Sequence, residues 1–517
     1  MIPELNRLDL FVVLGALATA LWLYVRNSRR STLPYPPGPR KLPILGNLLD
    51  IPTSLEWETY VRWGKEYNSD IIHLKAAGKD IIVLNSLSAA VELLEKRSSI
   101  YSSRPHFTMA NELMGWDWFM VMMPYGELWK ERRRAFTRYF QNGSNIAVYR
   151  GLHVEFVRKL LVRLLDSPED FIEINKHTIG EMALSLGYGV PIRPKNDPFL
   201  GLVEPAIASV TGAVLPGAFL VDIIPILKYV PEFFPGADFQ KKAREWRKLQ
   251  EDTREVLHKE TVQLMASGTF KPSFTSTSLQ NLDESADIRH QERVIQDAAA
   301  LVFAGAADGT LAAILTFFVA MLYFPEVQKR AQEELDRVLE GRLPEFSDEE
   351  ELPYISAVVR EVSRWKPVTP NSVPHCATED DIYRGYFIPK GSIIIPNAWA
   401  MLHNEDEYPD PSIFKPERFM KDGKINPAVR NPAVMAFGFG RRRCPGSQVA
   451  ISYLWMTVAS ILSTFEISKA LDDQGRPIEP SLLYHTTLTS RPLPFKCILK
   501  ARSRAAEQLV RMTEEPC

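Results

Sequence analysis

One cysteine lies in a loop whose residues suit a thiolate ligand for a metal ion. Residues 437–446 read Phe-Gly-Phe-Gly-Arg-Arg-Arg-Cys-Pro-Gly, and an apolar stretch follows them. We expect Cys444 to open a helix, because the backbone N–H groups and positive dipole end at a helix start lower a thiol pKa. Arg442 can pair with a carboxylate, and Gly446 would let the helix approach a flat cofactor closely. The alternative is a buried structural cysteine in a glycine-rich turn.

The spacing Phe437-x-x-Gly440-x-Arg442-x-Cys444-x-Gly446 resembles the haem-binding loop of the cytochrome P450 family. The resemblance implies a haem b cofactor whose iron is bound by Cys444. It also implies electrons from NADPH through a separate membrane protein, NADPH-cytochrome P450 reductase, with cytochrome b5 as a second candidate donor. The sequence contains no glycine-rich dinucleotide fingerprint, so we expect no fused reductase.

Three further segments match motifs of this family in the same chain order. Their residues are Trp129 and Arg133, Glu361 and Arg364, and Arg418. Glu361 and Arg364 would share one helix face, and Arg418 can complete a buried network on the same carboxylate; a surface ion pair is the alternative. The resemblance implies that Trp129, Arg133 and His375 contact the haem propionates, whereas a hydrogen-bonded core position is the alternative for His375.

A long apolar segment, roughly residues 291–323, predicts one helix that carries a small-residue stretch at its centre. Residues 304–310 read Ala-Gly-Ala-Ala-Asp-Gly-Thr, and the resemblance assigns Asp308 as the acid that delivers protons during dioxygen activation. Gly309 stands where the family has threonine, and Thr310 lies one residue on, turned by about 100°. Thr310, an ordered water or a substrate hydroxyl could substitute. The alternative for Thr310 is a bond to its own helix.

The resemblance implies a substrate pocket between the loop before Trp129, the long helix and strands near Val368 and Thr487. The corresponding side chains are mostly apolar: Met109, Leu113, Trp116, Phe119, Phe303 and Ala306. Such a lining favours a sizeable apolar ligand, while simple core packing is the alternative. Glu112 and Asp117 in the same loop could bind an amine or could be solvent-exposed.

Several segments, such as residues 101–104, 111–116 and 383–386, look like fungal family members of secondary metabolism, including enzymes that hydroxylate tryptamine-type indoles. We therefore expect hydroxylation or epoxidation of a terpenoid, with an indole amine as the alternative substrate. Two other functions are weighed against this monooxygenase. One is a haem-thiolate isomerase or dehydratase that needs neither reductase nor dioxygen, and the other is a haem sensor.

The amino terminus predicts a membrane anchor. Residues 10–25 carry no charge and would span roughly 24 Å as a helix, slightly less than the ~30 Å hydrocarbon core. Arginines follow at once, so the positive-inside rule places the body in the cytosol. We expect residues 1–9 to be a lumenal tail, 10–25 a transmembrane helix, 26–40 a basic, proline-rich hinge, and 41–517 the catalytic domain at the endoplasmic reticulum membrane. A cleaved signal peptide is the alternative.

Composition and patterning predict a mainly α fold with a small β-region. The charge is nearly balanced, with 61 Lys and Arg against 63 Asp and Glu, which argues against a nucleic-acid binder. Four cysteines without a CxxC pair give no disulfide framework. Residues 71–84 predict a β-hairpin, and residues 273–278 predict a polar loop.

A basic face for docking an acidic reductase is expected from Lys130, Arg132, Arg134, Arg138, Arg441 and Arg443, and a solvated charged face is the alternative.

Overall fold

The structure is a computed structural model that describes residues 32–514 except 44, 77, 142 and 216. The predicted lumenal tail and transmembrane helix therefore lie outside the described residues. The predicted hinge is described only from residue 32 onward.

The described chain is mainly helical, as predicted. Its α-helices are α1 Glu56–Glu66, α2 Leu87–Ala90, α3 Ser98–Tyr101, α4 Glu127–Phe140, α5 Gly143–Asp166, α6 Phe171–Tyr188, α7 Pro198–Ala213, α8 Leu220–Ile223, α9 Asp238–Ala266, α10 Phe274–Gln280, α11 Ile288–Tyr323, α12 Pro325–Leu339, α13 Pro353–Trp365, α14 Ala398–Leu402, α15 Ala433–Ala436, α16 Ser447–Thr464 and α17 Arg504–Arg511. Two π-helical turns are Val91–Lys96 and Thr108–Leu113. Short 3₁₀ turns are Pro168–Asp170, Pro225–Tyr229, Phe346–Asp348, Pro416–Phe419, Gly440–Arg442 and Met512–Glu514.

The β-region is small and is organised around one four-stranded sheet. The strands are β1 Ile71–Ala76, β2 Lys79–Leu84, β3 His375–Cys376, β4 Asp381–Tyr383, β5 Tyr386–Ile388, β6 Ile393–Pro396, β7 Met420–Lys421, β8 Lys424–Ile425, β9 Phe465–Lys469 and β10 Cys497–Ala501. The main sheet has the order β1-β2-β6-β3, and β1 pairs antiparallel with β2 from Ile71–Leu84 to Ala76–Lys79. The predicted hairpin is thus confirmed. Successive residues of a strand point to opposite faces, and the first four residues of β1 are all buried, so this strand is covered on both faces.

The helix α11 crosses the core and positions the predicted oxygen-activation residues. Asp287 caps its start by accepting a hydrogen bond from the backbone N–H of His290 at 3.1 Å, and Pro325 begins the next helix. It packs against α4, α6 and α16, which explains why it is largely apolar on all faces from Val294 onward. It is long and apolar enough to cross a membrane, yet most of that stretch is buried inside the protein.

The prediction of a polar loop at residues 273–278 is wrong, because most of that segment belongs to α10. The hydroxyl of Ser273 accepts a hydrogen bond from the backbone N–H of Ser276 at 3.2 Å, and Ser276 returns one, which forms a capping box. The ring of Phe274 is buried and stacks on Phe140 at 6.0 Å. Ser273, Thr275 and Ser276 of this segment are therefore buried at a helix start rather than exposed to solvent.

Candidate functional site

The cysteine loop closes on itself before α16 begins. The backbone N–H of Cys444 donates to the carbonyl oxygen of Phe437 at 2.8 Å. Gly440 has a φ of 53°, and a Cβ there would lie 2.2 Å from the carbonyl oxygen of Leu94, so only glycine fits. The expectation that Cys444 opens the helix is wrong, since α16 starts at Ser447 with Gly446 as its cap.

The Cys444 thiol is accessible and yet largely surrounded by protein. Burial raises its pKa, while the Gly446 N–H and the charges of Arg133 and Arg443 oppose that rise. Both properties hold if the thiol lies on the floor of an internal cleft. The loop therefore supplies the expected interactions that lower the thiol pKa, and burial outweighs them. A metal ion, if bound, deprotonates a coordinating thiol by itself.

Arg442 and Trp129 form one wall beside this thiol. The buried Arg442 donates to the carbonyl oxygens of Ser102 and Met123, both at 2.6 Å, and its guanidinium lies 4.4 Å from the Trp129 ring. Burial, together with neighbouring arginines, lowers the pKa of Arg442 to about 8. Arg133 lies 5.9 Å from the same ring and makes no hydrogen bond within the described chain.

Arg104 belongs to the same cation cluster, and sequence reasoning missed it. Its guanidinium donates to the carbonyl oxygens of Val373 at 2.7 Å and Pro374 at 2.8 Å. Burial lowers its pKa to about 9. Nδ1 of the buried His375 lies 2.7 Å from the carbonyl oxygen of Tyr101, and burial and the charge of Arg104 lower the pKa of His375 well below its usual range. No spacing signal connects Arg104 to a cysteine so far along the chain.

The cation cluster Arg104, Arg133 and Arg442 fits the two propionates of haem. Among the described residues, none of the three arginines has a carboxylate within ion-pair distance. Buried charges are expected to be paired, so an anionic ligand would complete the electrostatics of this cluster. A Cβ at Gly446 would meet no protein atom within 4 Å, which leaves room for a flat ring beside the thiol.

The centre of α11 is more accessible than the helix on either side of it. Residues 304–309 are partly accessible, although the helix on both sides of them is buried. Arg491 lies with Nη1 3.9 Å from Oδ1 of Asp308, and both side chains are about 40% exposed. Thr310 is buried, and within the described chain its hydroxyl makes no hydrogen bond to its own helix. A Cβ at Gly309 would lie 3.8 Å from Val368, an ordinary contact. Arg491 had not been predicted.

The structure brings Glu361, Arg364 and Arg418 together in a buried network. Glu361 accepts two hydrogen bonds from Arg364, at 2.7 and 2.8 Å, and one from Nε of Arg418 at 3.1 Å. The Lys415 backbone N–H adds another at 2.8 Å. The network fastens α13 to the segment around residues 409–419.

The predicted pocket residues lie in one apolar cluster. Met109, Trp116, Phe119 and Phe303 are buried, whereas Leu113 and Ala306 are partly buried. Glu112 of the same loop is ion-paired at the surface with Lys228 at 2.6 Å and His106 at 2.8 Å, and Asp117 is exposed. Neither carboxylate is placed to bind an amine inside the cleft.

The predicted basic face needs one correction. Arg132 is buried and ion-paired with Asp297 at 2.6 Å, so it is not a surface residue. Arg134, Arg138, Arg441 and Arg443 are exposed, and Lys130 is partly exposed. Helical position alone does not show which face of α4 packs against α11.

The chain is similar to known proteins over almost its whole length. The profile of the family described as Cytochrome P450 matches residues 36–497. Cytochrome P450 monooxygenase ple1 of Rhodocybe pseudopiperita is 46% identical over 98% of this chain and 96% of its own length. Cytochrome P450 monooxygenase 98 of Postia placenta is 43% identical over 97% of each chain. Tryptamine 4-monooxygenase of Psilocybe cyanescens is 39% identical over 96% of this chain and 98% of its own.

Proposed function

The chain belongs to the cytochrome P450 family of monooxygenases, and we propose that it hydroxylates or epoxidises a mostly apolar small molecule of fungal secondary metabolism, a terpenoid. The observation that carries this proposal is the accessible Cys444 thiol beside the cation cluster, whose three arginines have no carboxylate partner in the part of the chain that the structure describes. Haem bound there would supply the activation of dioxygen, with NADPH-derived electrons delivered by a separate reductase.

The residues of the cleft have separate roles in this proposal. Cys444 would bind the iron, and the cation cluster with Trp129 and His375 would hold the propionates. The Asp308 carboxylate is accessible and would take up and pass on protons. Thr310 is the alcohol nearest to it in sequence, because Gly309 carries none.

An apolar substrate is supported by the clustering of Met109, Trp116, Phe119 and Phe303. The second candidate is an indole amine, and the name of one relative, tryptamine 4-monooxygenase, favours it. A buried amine would need a carboxylate partner, and the surface pairing of Glu112 means that this carboxylate is not that partner. We rank the terpenoid first.

We further propose that residues 10–25 anchor the protein in the endoplasmic reticulum membrane with the catalytic domain in the cytosol. NADPH-cytochrome P450 reductase would then be the electron donor in the same membrane, and cytochrome b5 could serve as a second one. The run of uncharged residues followed by arginines supports this arrangement.

The deciding experiment compares metabolites of a host with and without this gene, followed by assays of purified enzyme with reductase. We expect a product that carries one added oxygen atom and requires NADPH and dioxygen. A product formed without either one would instead identify an isomerase or dehydratase. Absence of any turnover with the identified compounds would favour a haem sensor.

A further inference from the structure

The loop 112–123 is fixed at its carboxyl end to the cysteine loop. The guanidinium of Arg442 donates to the carbonyl oxygen of Met120 at 3.2 Å and to that of Met123 at 2.6 Å. Arg442 stands two residues before Cys444 in the chain, so this end of the loop borders the thiolate site. These bonds are buried, and breaking them would leave buried donors without partners.

The amino-terminal part of the same loop is held by one stripe of α9, which consists of Arg247, Gln250 and Arg254. Nε of Arg247 donates to the carbonyl oxygen of Leu113 at 3.0 Å, and Nη2 donates to that of Glu112 at 2.6 Å. Nε1 of Trp118 donates to Gln250 at 2.7 Å. Positions 247 and 250 lie three residues apart and therefore share one face of the helix.

Gly115 allows the loop to sit directly on this stripe. Its φ is +75°, and a Cβ there would lie 3.1 Å from Nε2 of Gln250 and 3.4 Å from Cζ of Arg247. A side chain at this position would be strained and would push the loop away from α9. The contact is thus built for close approach.

One turn further along α9, Arg254 connects the stripe to the core. Its guanidinium lies 4.8 Å from the Trp118 ring and is ion-paired with Asp297 of α11. Asp297 also accepts a hydrogen bond from Arg132 of α4 at 2.6 Å. The end of the stripe at Arg254 is therefore anchored, whereas Arg247 is partly exposed and its bonds can exchange with water.

The aromatic side chains between the two attachments form a single unit. Trp116 stacks on Trp118 at 5.3 Å, and Phe119 lies edge-on to Trp116 at 5.2 Å. Loosening the bonds of Arg247 would release residues 112–115 from α9, while the bond from Trp118 to Gln250 still holds the aromatic unit.

We propose that Arg247 and Gln250 are positioning residues. They hold residues 112–119 of the loop 112–123 closed and so determine how large a ligand reaches the cleft. This inference rests on the proposed haem-thiolate site, because the loop is tied to it through Arg442. Neither residue would touch the reacting atoms.

The test uses holoenzyme and two azole probes, 4-phenylimidazole and the smaller imidazole, whose binding to haem iron is followed by stopped-flow absorbance. In Arg247→Ala, the association and dissociation rate constants for 4-phenylimidazole should both rise about tenfold, the effect of one to two lost hydrogen bonds. Their ratio should stay within about twofold of wild type. Imidazole should bind at nearly unchanged rates.

Arg244→Ala is the matched control, since Arg244 is exposed on the same helix and pairs with Glu232 rather than with the loop. Its rates should equal those of wild type. Gly115→Ala should displace the same loop in a second way. It should therefore also raise the association and dissociation rate constants for 4-phenylimidazole. Unchanged rates in both Arg247→Ala and Gly115→Ala, or equal changes for both probes, would overturn the inference.

A spectrum of the ferrous carbon-monoxide complex, recorded for each protein, separates this inference from the proposed function. If wild type lacks the red-shifted thiolate band, the proposed function fails. The azole rates still report on the loop in that case, because azoles bind haem iron whatever its other ligand.

Discussion

Nη2 of Arg132 lies 2.6 Å from Oδ2 of Asp297 in the interior of the protein, and the same carboxylate is ion-paired with Arg254. The three residues join α4, α9 and α11. Arg132 therefore belongs to the core, although its position in a basic helix had suggested a docking role.

The stability of the fold should depend on Arg132 far more than on its exposed neighbour. Removing one partner of a buried ion pair typically costs about 3–5 kcal/mol, so we expect Arg132→Ala to lose about 3 kcal/mol while Arg254 remains. Arg134→Ala removes only an exposed pair with Glu127, worth about 0–1 kcal/mol. Urea unfolding of both variants measures the difference, and equal losses would contradict the buried role.

Reduction by the reductase should depend on the exposed arginines. Charge steering weakens as salt shortens the Debye length, which is about 10 Å at 0.1 M. In Arg138→Glu, reduction should be slower at low salt and should fall less steeply as salt rises. Lys241→Glu, at an exposed position of α9, is the control and should behave as wild type. Identical salt slopes in all three proteins would exclude this docking face.

Asp308 should control proton delivery. General acid–base contributions are roughly 10²–10⁴-fold, so Asp308→Asn should slow product formation by about 10²-fold or more and leave haem binding intact. Arg491 forms a long ion pair with this carboxylate, with 3.9 Å between Nη1 and Oδ1. The measurement is product formed per NADPH consumed, and an unchanged product rate would refute the proton-relay role.

The alcohol beside Asp308 can be tested by two further substitutions. Gly309→Thr restores the family residue, and the ordinary 3.8 Å contact of its Cβ with Val368 predicts unchanged or improved coupling. Thr310→Ala should raise peroxide release per NADPH. If Thr310→Ala is fully coupled, a water or a substrate hydroxyl takes its place.

Acid should destabilise the fold through buried neutral histidines. Burial lowers the pKa of His153 to about 3, whereas the unfolded ring titrates near 6.5. Unfolding therefore takes up a proton at pH 5. The contribution of His153 to the free energy of unfolding is complete above pH 6.5, and it falls by about 1.4 kcal/mol per pH unit as the pH decreases below that value. His153→Gln should reduce this slope, and the exposed His106→Gln should not. An unchanged slope in His153→Gln would contradict the assignment.

The sequence predicted what local spacing encodes and missed what only folding brings together. The helix around Asp308 follows from a long apolar segment, and the hairpin at residues 71–84 follows from two short apolar runs on either side of a turn. Arg104 and Arg491 meet their partners across more than 180 residues, so no local pattern marks them. Arg132 and the segment 273–278 were misread because polar residues can be buried once a charged or capping partner is present.

The central claim is that Cys444 binds haem iron as a thiolate, and the ferrous carbon-monoxide spectrum tests it most directly. Wild type should show the red-shifted Soret band of a thiolate ligand. Cys444→His should retain bound haem but lose that band, because imidazole is a neutral donor. Cys376→Ala is the control, since Cys376 lies in β3, and it should keep the band. Persistence of the thiolate band in Cys444→His would contradict the account.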